Sequence, residues 1–180
     1  MKATELLVLV DFAESYTNSQ QDAIQSAYFG QQSFSIFTAC TYSRENEAFV
    51  NDNVIVVSES PDHSRMCSMS CVQEVVSKVE YIRGRSFDKL IIWSNGCASQ
   101  FRSKYVFFIL TKIFAGKSLS WYYNERQGKG PMVGIGGTVK NVVFRKVKSG
   151  HATVNTLQSL QKQCGNLCPK FQPYTCQQTS

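Results

Sequence analysis

Acidic residues are nearly missing from the second half of this chain: after Phe101 the only one is Glu125. Residues 102–150 set ten Lys or Arg against that single acid, a net of +9. Residues 1–101 carry seven basic and twelve acidic residues, a net of −5, and the last thirty add two lysines, which gives +6 overall. A segment so poor in one sign reads as a basic face built from Arg102, Lys104, Lys112, Lys117, Arg126, Lys129, Lys140, Arg145, Lys146 and Lys148, whose natural partner is a phosphate backbone. The alternative is a solvated basic surface without a ligand.

Other absences narrow the class further. No apolar run reaches eighteen residues, which excludes a membrane-spanning helix, and MKATELLVLVD meets an acid too early for a signal peptide. An intracellular protein is expected, nuclear if DNA is its partner. No GK[ST] follows the glycines of GKGPMVGIGG, and no opening strand, turn and helix carry a dinucleotide fingerprint. There is no GxSxG elbow and no credible Cys-His pair, so nucleotide binding and serine or cysteine hydrolysis are not expected. No internal repeat is visible. Seven cysteines form an odd set without secretory context, which argues for reduced thiols. Cys67 and Cys71 are spaced to share a helix face; Cys164, Cys168 and Cys176, with His151, match no standard zinc-finger spacing.

What is present is one domain's worth of sequence, 180 residues of which 43% are hydrophobic, with the periodicities of an α/β fold. Strands are expected at Leu6–Asp11, Ser33–Ser43, Asn53–Ser58, Lys89–Ser94 and Ser118–Tyr123. Helices are expected at Ser19–Ala27, Ser64–Arg83, Gln100–Phe114 and Met132–Lys148. Residues 1–150 form the core on this reading, and residues 151–180 a C-terminal helix and a polar, loose tail after Pro169. The chain opens directly on its first strand, as expected of a core without an upstream DNA-binding module.

Two of these strands end in chemistry. The run Leu6 to Val10 is continuously apolar, like a central strand buried on both faces, so the Asp11 carboxylate should emerge at its carboxyl end, where open α/β sheets usually bind ligands. Asp11 reads equally well as the cap of a turn before the next helix. In KLIIWSNGCASQF the corresponding place is taken by Asn95. Two divalent cations can clamp a phosphodiester only where acids from separate elements converge.

Three blocks carry a resemblance: VDFAESY, SNGCASQFRSKY and GKGPMVGIGGTVKNVV. Together they resemble the catalytic core of a eukaryotic DDE-type transposase lineage, whose members carry blocks close to VDFAENY, SDGCxxQ and HGKGPxDGIGGTVKR. The match runs over roughly residues 4–150 in the same order. It implies a ribonuclease H-like mixed sheet of about five strands flanked by helices, with Asp11 as first acid and tentative metal ligand. The second acid then falls on Asn95, the third on Val133, and the histidine before GKGP on Gln127. His63, in SESPDHS, matches a histidine-containing segment and is expected to contact substrate or assist the site. The nucleic-acid contacts are expected from Arg102, Lys104, Arg126, Lys129, Lys140, Arg145 and Lys146.

An amide at Asn95 brings no negative charge and Val133 no ligand atom, so the site falls from three formal negative charges to one. The expectation is a transposase-derived, catalytically inactive DNA-binding domain that holds no cofactor strongly, with an oligomer possible. A first alternative is an active nuclease using Mg or Mn, with Glu14, Glu59, Asp62 or His63 replacing the missing ligands; a second is a protein-interaction module built on the old cleft.

Overall fold

The computed structural model describes residues 1–17, 33–59, 63–97, 100–124, 131–149, 154, 156–165 and 171–175. Its centre is a long strand β1 (Glu5–Thr17), flanked by β2 (Ser33–Glu45) and β4 (Lys89–Asn95). Outside them lie β3 (Ala48–Ser58) and β5 (Ser118–Asn124), and β6 (Phe171–Thr175) completes the order β5-β4-β1-β2-β3-β6. β2 runs antiparallel to both β1 and β3, whereas β4 is parallel to β1, β5 to β4, and β6 to β3. The fold is therefore an α/β domain with an open, mixed sheet of six strands. The expected helix at Ser19–Ala27 lies outside the described residues.

Local sequence explains the punctuation. β2 and β3 are joined through Asn46 and Glu47, both at positive φ, the backbone of a tight hairpin turn that asparagine adopts readily. Helix α1 (Arg65–Arg83) starts where the Ser64 hydroxyl accepts from the Cys67 amide, and stops at Gly84, whose left-handed φ of 62° returns its N–H to the last carbonyls. Helix α2 (Lys104–Ile113) is capped the same way, with Ser103 accepting from the Tyr105 amide. Helices α3 (Pro131–Lys148) and α4 (Leu157–Gly165) follow β5, α3 opening on a proline whose missing N–H costs nothing in a first turn.

Strand alternation sorts the core into two layers. On the upper face Leu6, Val8, Val10, Phe37, Ala39, Val54, Val56, Leu90 and Ile92 pack under α1 and α2 through Val72, Val76, Val106 and Leu110. On the lower face Ile36, Cys40, Ile55 and Val57 meet Ile135, Val139 and Val143 of α3 and Leu160 of α4. α3 seats closely because Gly136 has no side chain: a Cβ there would fall 2.8 Å from Ala13 Cβ and 3.7 Å from Thr38 Cγ2. Arg83, at the end of α1, clamps the β2–β3 hairpin through Asp52 at 2.6 Å and Glu45 at 3.3 Å.

Two expectations change. β1 does not end at Asp11 but continues six residues to Thr17, because β2 keeps pairing with it past an irregularity between Ala13 and Tyr16. The segment after Pro169, expected as a loose tail, contains β6, which pairs with β3 from Asn53↔Phe171 to Val57↔Thr175. A strand this short, with Pro173 inside it, belongs on a sheet edge, where one side of the backbone needs no partner.

Candidate functional site

The parallel register of β1 and β4 runs from Glu5↔Lys89 to Val10↔Ser94, and Asp11 and Asn95 follow as the next pair. Up to its irregularity after Ala13, the odd-numbered residues of β1 point to the lower face, as Ala13 does against Gly136, so Asp11 faces the α3 side. There the Asn95 Nδ2 donates to Asp11 Oδ1 at 2.7 Å, while the Cys97 N–H donates to Asn95 Oδ1 at 3.1 Å. The amide is thus held at both ends. Thr38 Oγ1 donates to the Asp11 carbonyl at 3.2 Å across the β1–β2 pairing. Burial pushes the Asp11 carboxyl above its ordinary range, against the opposing pull of the Phe12 and Asn95 hydrogen bonds. Asp11 caps no turn, since the strand runs on beyond it.

Val133 lies in the first turn of α3, one turn before Gly136. Because Gly136 sits on Ala13 and Thr38, the start of α3 is held over the Asp11 face of the sheet; the Val133 and Glu14 side chains lie outside the described set. Asp62, Gln127 and His151 are also outside it, as are Cys164, Cys168 and Cys176.

His63 is placed elsewhere. Its ring stacks on Phe12 at 4.2 Å between centroids and 22° between planes, and its Nε2 lies 2.9 Å from Ser35 Oγ. Phe12 packs edge-on against Phe37 in the upper layer, so His63 is on the face opposite Asp11. A shift of one residue along a strand changes the face.

The same rule divides the basic residues. Arg102 and Lys104 stand at the start of α2, close to the end of β4, and belong with Lys112 to the upper layer. Lys140, Arg145 and Lys146 ride on α3 below the sheet, where Lys146 Nζ donates to Gln163 Oε1 of α4 at 3.1 Å. Lys117 is not part of a binding face: its Nζ holds Glu80 Oε1 at 2.7 Å, Ser86 Oγ at 2.8 Å and the Phe87 carbonyl at 2.7 Å. The expected single basic face is therefore two separate groups; Arg126 and Lys129 lie outside the described residues.

Sequence reasoning passed over an aromatic pair beside the site. Trp93, two residues before Asn95 and on the same face, stacks on Tyr122 of β5 at 5.0 Å and 23°, both rings well exposed. The signal was the alternation in KLIIWSN and SLSWYYN, where aromatics fall at positions that would be polar on a solvated face.

A pair of divalent ions does not fit the donors that converge here. Among the described side chains one carboxylate is available, one of its oxygens is occupied by an N–H, and an amide that donates cannot ligate through the same atom. Among the described residues no three His, Cys, Asp or Glu side chains come together. Nor is any helix among them long and apolar enough to cross a membrane.

The fold and the Asp11–Asn95 pair define an α/β domain with a polar site where the parallel pairing of β1 and β4 ends. The chain belongs to the family described as Domain of unknown function (DUF8701), whose model matches residues 1–180. No curated protein matches it.

Proposed function

We propose that the chain is a transposase-derived domain of the ribonuclease H-like class that has lost strand transfer and keeps a DNA-binding role in the nucleus. The observation that carries the reading is the Asp11–Asn95 hydrogen bond of 2.7 Å where the parallel pairing of β1 with β4 ends. The two positions that the motif blocks assign to the first and second acids meet in space, and the second is an amide that satisfies the first. Further support comes from the sheet: a first strand between an antiparallel β2–β3 pair and the parallel β4 and β5 is the arrangement a ribonuclease H-like core requires. The start of α3, which carries the third position, is held over the same face by Gly136.

With Asn95 present, the site keeps one formal negative charge, on a carboxylate with one oxygen satisfied by an N–H, too little to hold two divalent ions for in-line displacement on a phosphodiester. What remains is electrostatic attraction for phosphate, through one of two groups on opposite faces: Arg102 and Lys104 near the end of β4, or the α3 cations below the sheet. Calorimetric titration with magnesium and manganese tests the loss. The unmodified chain should bind neither ion tightly and cleave no DNA. The double variant Asn95→Asp/Val133→Asp should gain far more metal affinity than either single change, because the ions bridge both carboxylates. Tight binding of two ions by the unmodified chain would refute the reading.

A further inference from the structure

The sheet has an open edge at β5. Among the described residues no strand pairs with its outer side; the opposite edge is the short β6, which carries Pro173. Soluble proteins commonly protect such an edge with a lysine, a proline, a bulge or a charge pointing inward. Ser118–Asn124 has none of these in its sequence SLSWYYN, and its register with β4 runs unbroken from Lys89↔Ser118 to Asn95↔Asn124.

Aromatic side chains flank this edge on both faces. Above it, Phe107 of α2 meets Tyr123 edge-on at 6.4 Å while remaining 46% exposed; below it, Tyr122 and its stacking partner Trp93 are 49% and 41% exposed. These rings stand on the two faces of the sheet beside a strand whose outer backbone has no partner among the described strands. Within the segment that holds α2 and β5 the charge has one sign: residues 102–124 contain four Lys or Arg and no Asp or Glu. Lys117 is tied to Glu80, and the cations of α2, the helix that carries Phe107, are Lys104 and Lys112, lying over the Tyr105 and Phe108 rings.

We propose that the outer edge of β5 docks an extended segment of another protein, one that alternates apolar and acidic side chains and joins the sheet as an added strand. Main-chain hydrogen bonds supply the attachment, and the side chains read the flanks: apolar groups against Phe107 above or Tyr122 and Trp93 below, carboxylates towards the lysines of α2. A second copy of this chain suits the edge less well, because pairing two β5 strands would bring two acid-free, basic α2 surfaces together.

The test uses the full chain with a short synthetic peptide of alternating valine and glutamate, and its valine-lysine counterpart, followed by fluorescence anisotropy and amide exchange. The glutamate peptide should bind and slow exchange across Ser118–Asn124. The exposed pair Lys104→Glu/Lys112→Glu should weaken it by about tenfold, the scale of two surface ion pairs, and admit the lysine peptide instead. Equal binding of both peptides by the unmodified chain, or protection confined to other strands, would overturn the proposal. So would a concentration-dependent dimer that protects β5 without peptide, which would give the edge to a second copy. Protection of the same amides by a short DNA duplex would give it to nucleic acid.

Discussion

Replacing Asn95 with aspartate sets two carboxylates at the 2.7 Å spacing now bridged by an amide proton. The change removes a hydrogen bond to a charged acceptor, a loss of about 1.5–3 kcal/mol, and adds like-charge repulsion of up to about 5 kcal/mol at an effective dielectric constant near 20. The pair limits this cost by retaining a proton, as neighbouring carboxylates do. A net loss of about 3 kcal/mol at pH 8 follows, or a melting temperature lower by about 6–12 °C in a chain of this size. The pH dependence has a definite sign. Burial already raises the Asp11 pKa, and in the variant the shared proton raises the upper pKa of the pair further. A group whose folded pKa exceeds its unfolded value contributes its stability below the ordinary carboxylate range and loses it as pH rises through the raised value. Thermal melts of Asn95→Asp and the parent chain, followed by circular dichroism from pH 4 to pH 9 without divalent ions, should therefore diverge as pH rises. Coincident curves at every pH would show that Asn95 and Asp11 do not interact, and would remove the central contact of the site.

Four other outcomes are expected. Asp11→Asn should melt a few degrees higher at pH 8, since it removes a carboxylate that burial disfavours, with the advantage fading as pH falls through the raised Asp11 pKa; a lower melting point at pH 8 would contradict the burial argument. Gly136→Ala should cost about 1–3 kcal/mol in urea titrations, because its Cβ would lie 2.8 Å from Ala13 Cβ, and Ala13→Gly in the same chain should return part of that loss. Lys117→Met should cost about 1–3 kcal/mol by leaving the half-buried Glu80 without its cation. Burial raises the Glu80 pKa, but the Lys117, Phe87 and Ser86 hydrogen bonds outweigh it and leave the pKa lowered, so their stabilisation is present above the ordinary carboxylate range and is lost as pH falls through the lowered value; an unchanged acid limb in the variant would refute this. Finally, Arg102→Glu/Lys104→Glu and Arg145→Glu/Lys146→Glu lie on opposite faces of the sheet, so in salt titrations of duplex binding one pair should flatten the log–log slope by about two units and the other should leave it unchanged.

Most of the elements were legible because their apolar residues repeat at strand or helix spacing. The helix over Ser64–Arg83 shows this best: Met69, Val72, Val75, Val76 and Val79 all turn inward, and Ser64 and Gly84 supply both caps. The full length of β1 was hidden because Ala13–Thr17 lost the apolar signal; that stretch is a strand through its pairing with Ser33–Ile36, a nonlocal cause. β6 was hidden for the same reason, with Pro173 arguing against it. At the site, Asp11 and Asn95 could be paired from two apolar runs that end in polar residues. The remoteness of His63 from Asp11 could not be read, because it depends on which face Phe12 takes. Counting charge along the chain likewise cannot tell α2 from α3 once a sheet stands between them, and the three bonds of Lys117 have no mark in the sequence.

The seat of β6 on β3 gives the sheet a direction of growth. Two long edges free of proline would let one molecule hand its spare backbone to the next and so on without limit, the geometry of a fibre. With β3 covered by the chain's own C-terminal strand, the second edge of the sheet is the short β6, interrupted by Pro173, so addition is favoured at β5, and a single added strand shifts the open margin there from this protein to its guest. Removing Phe171–Thr175 would free β3 and turn a terminating sheet into a propagating one, a change visible as turbidity or fibre formation even if the core around Asp11 stays folded.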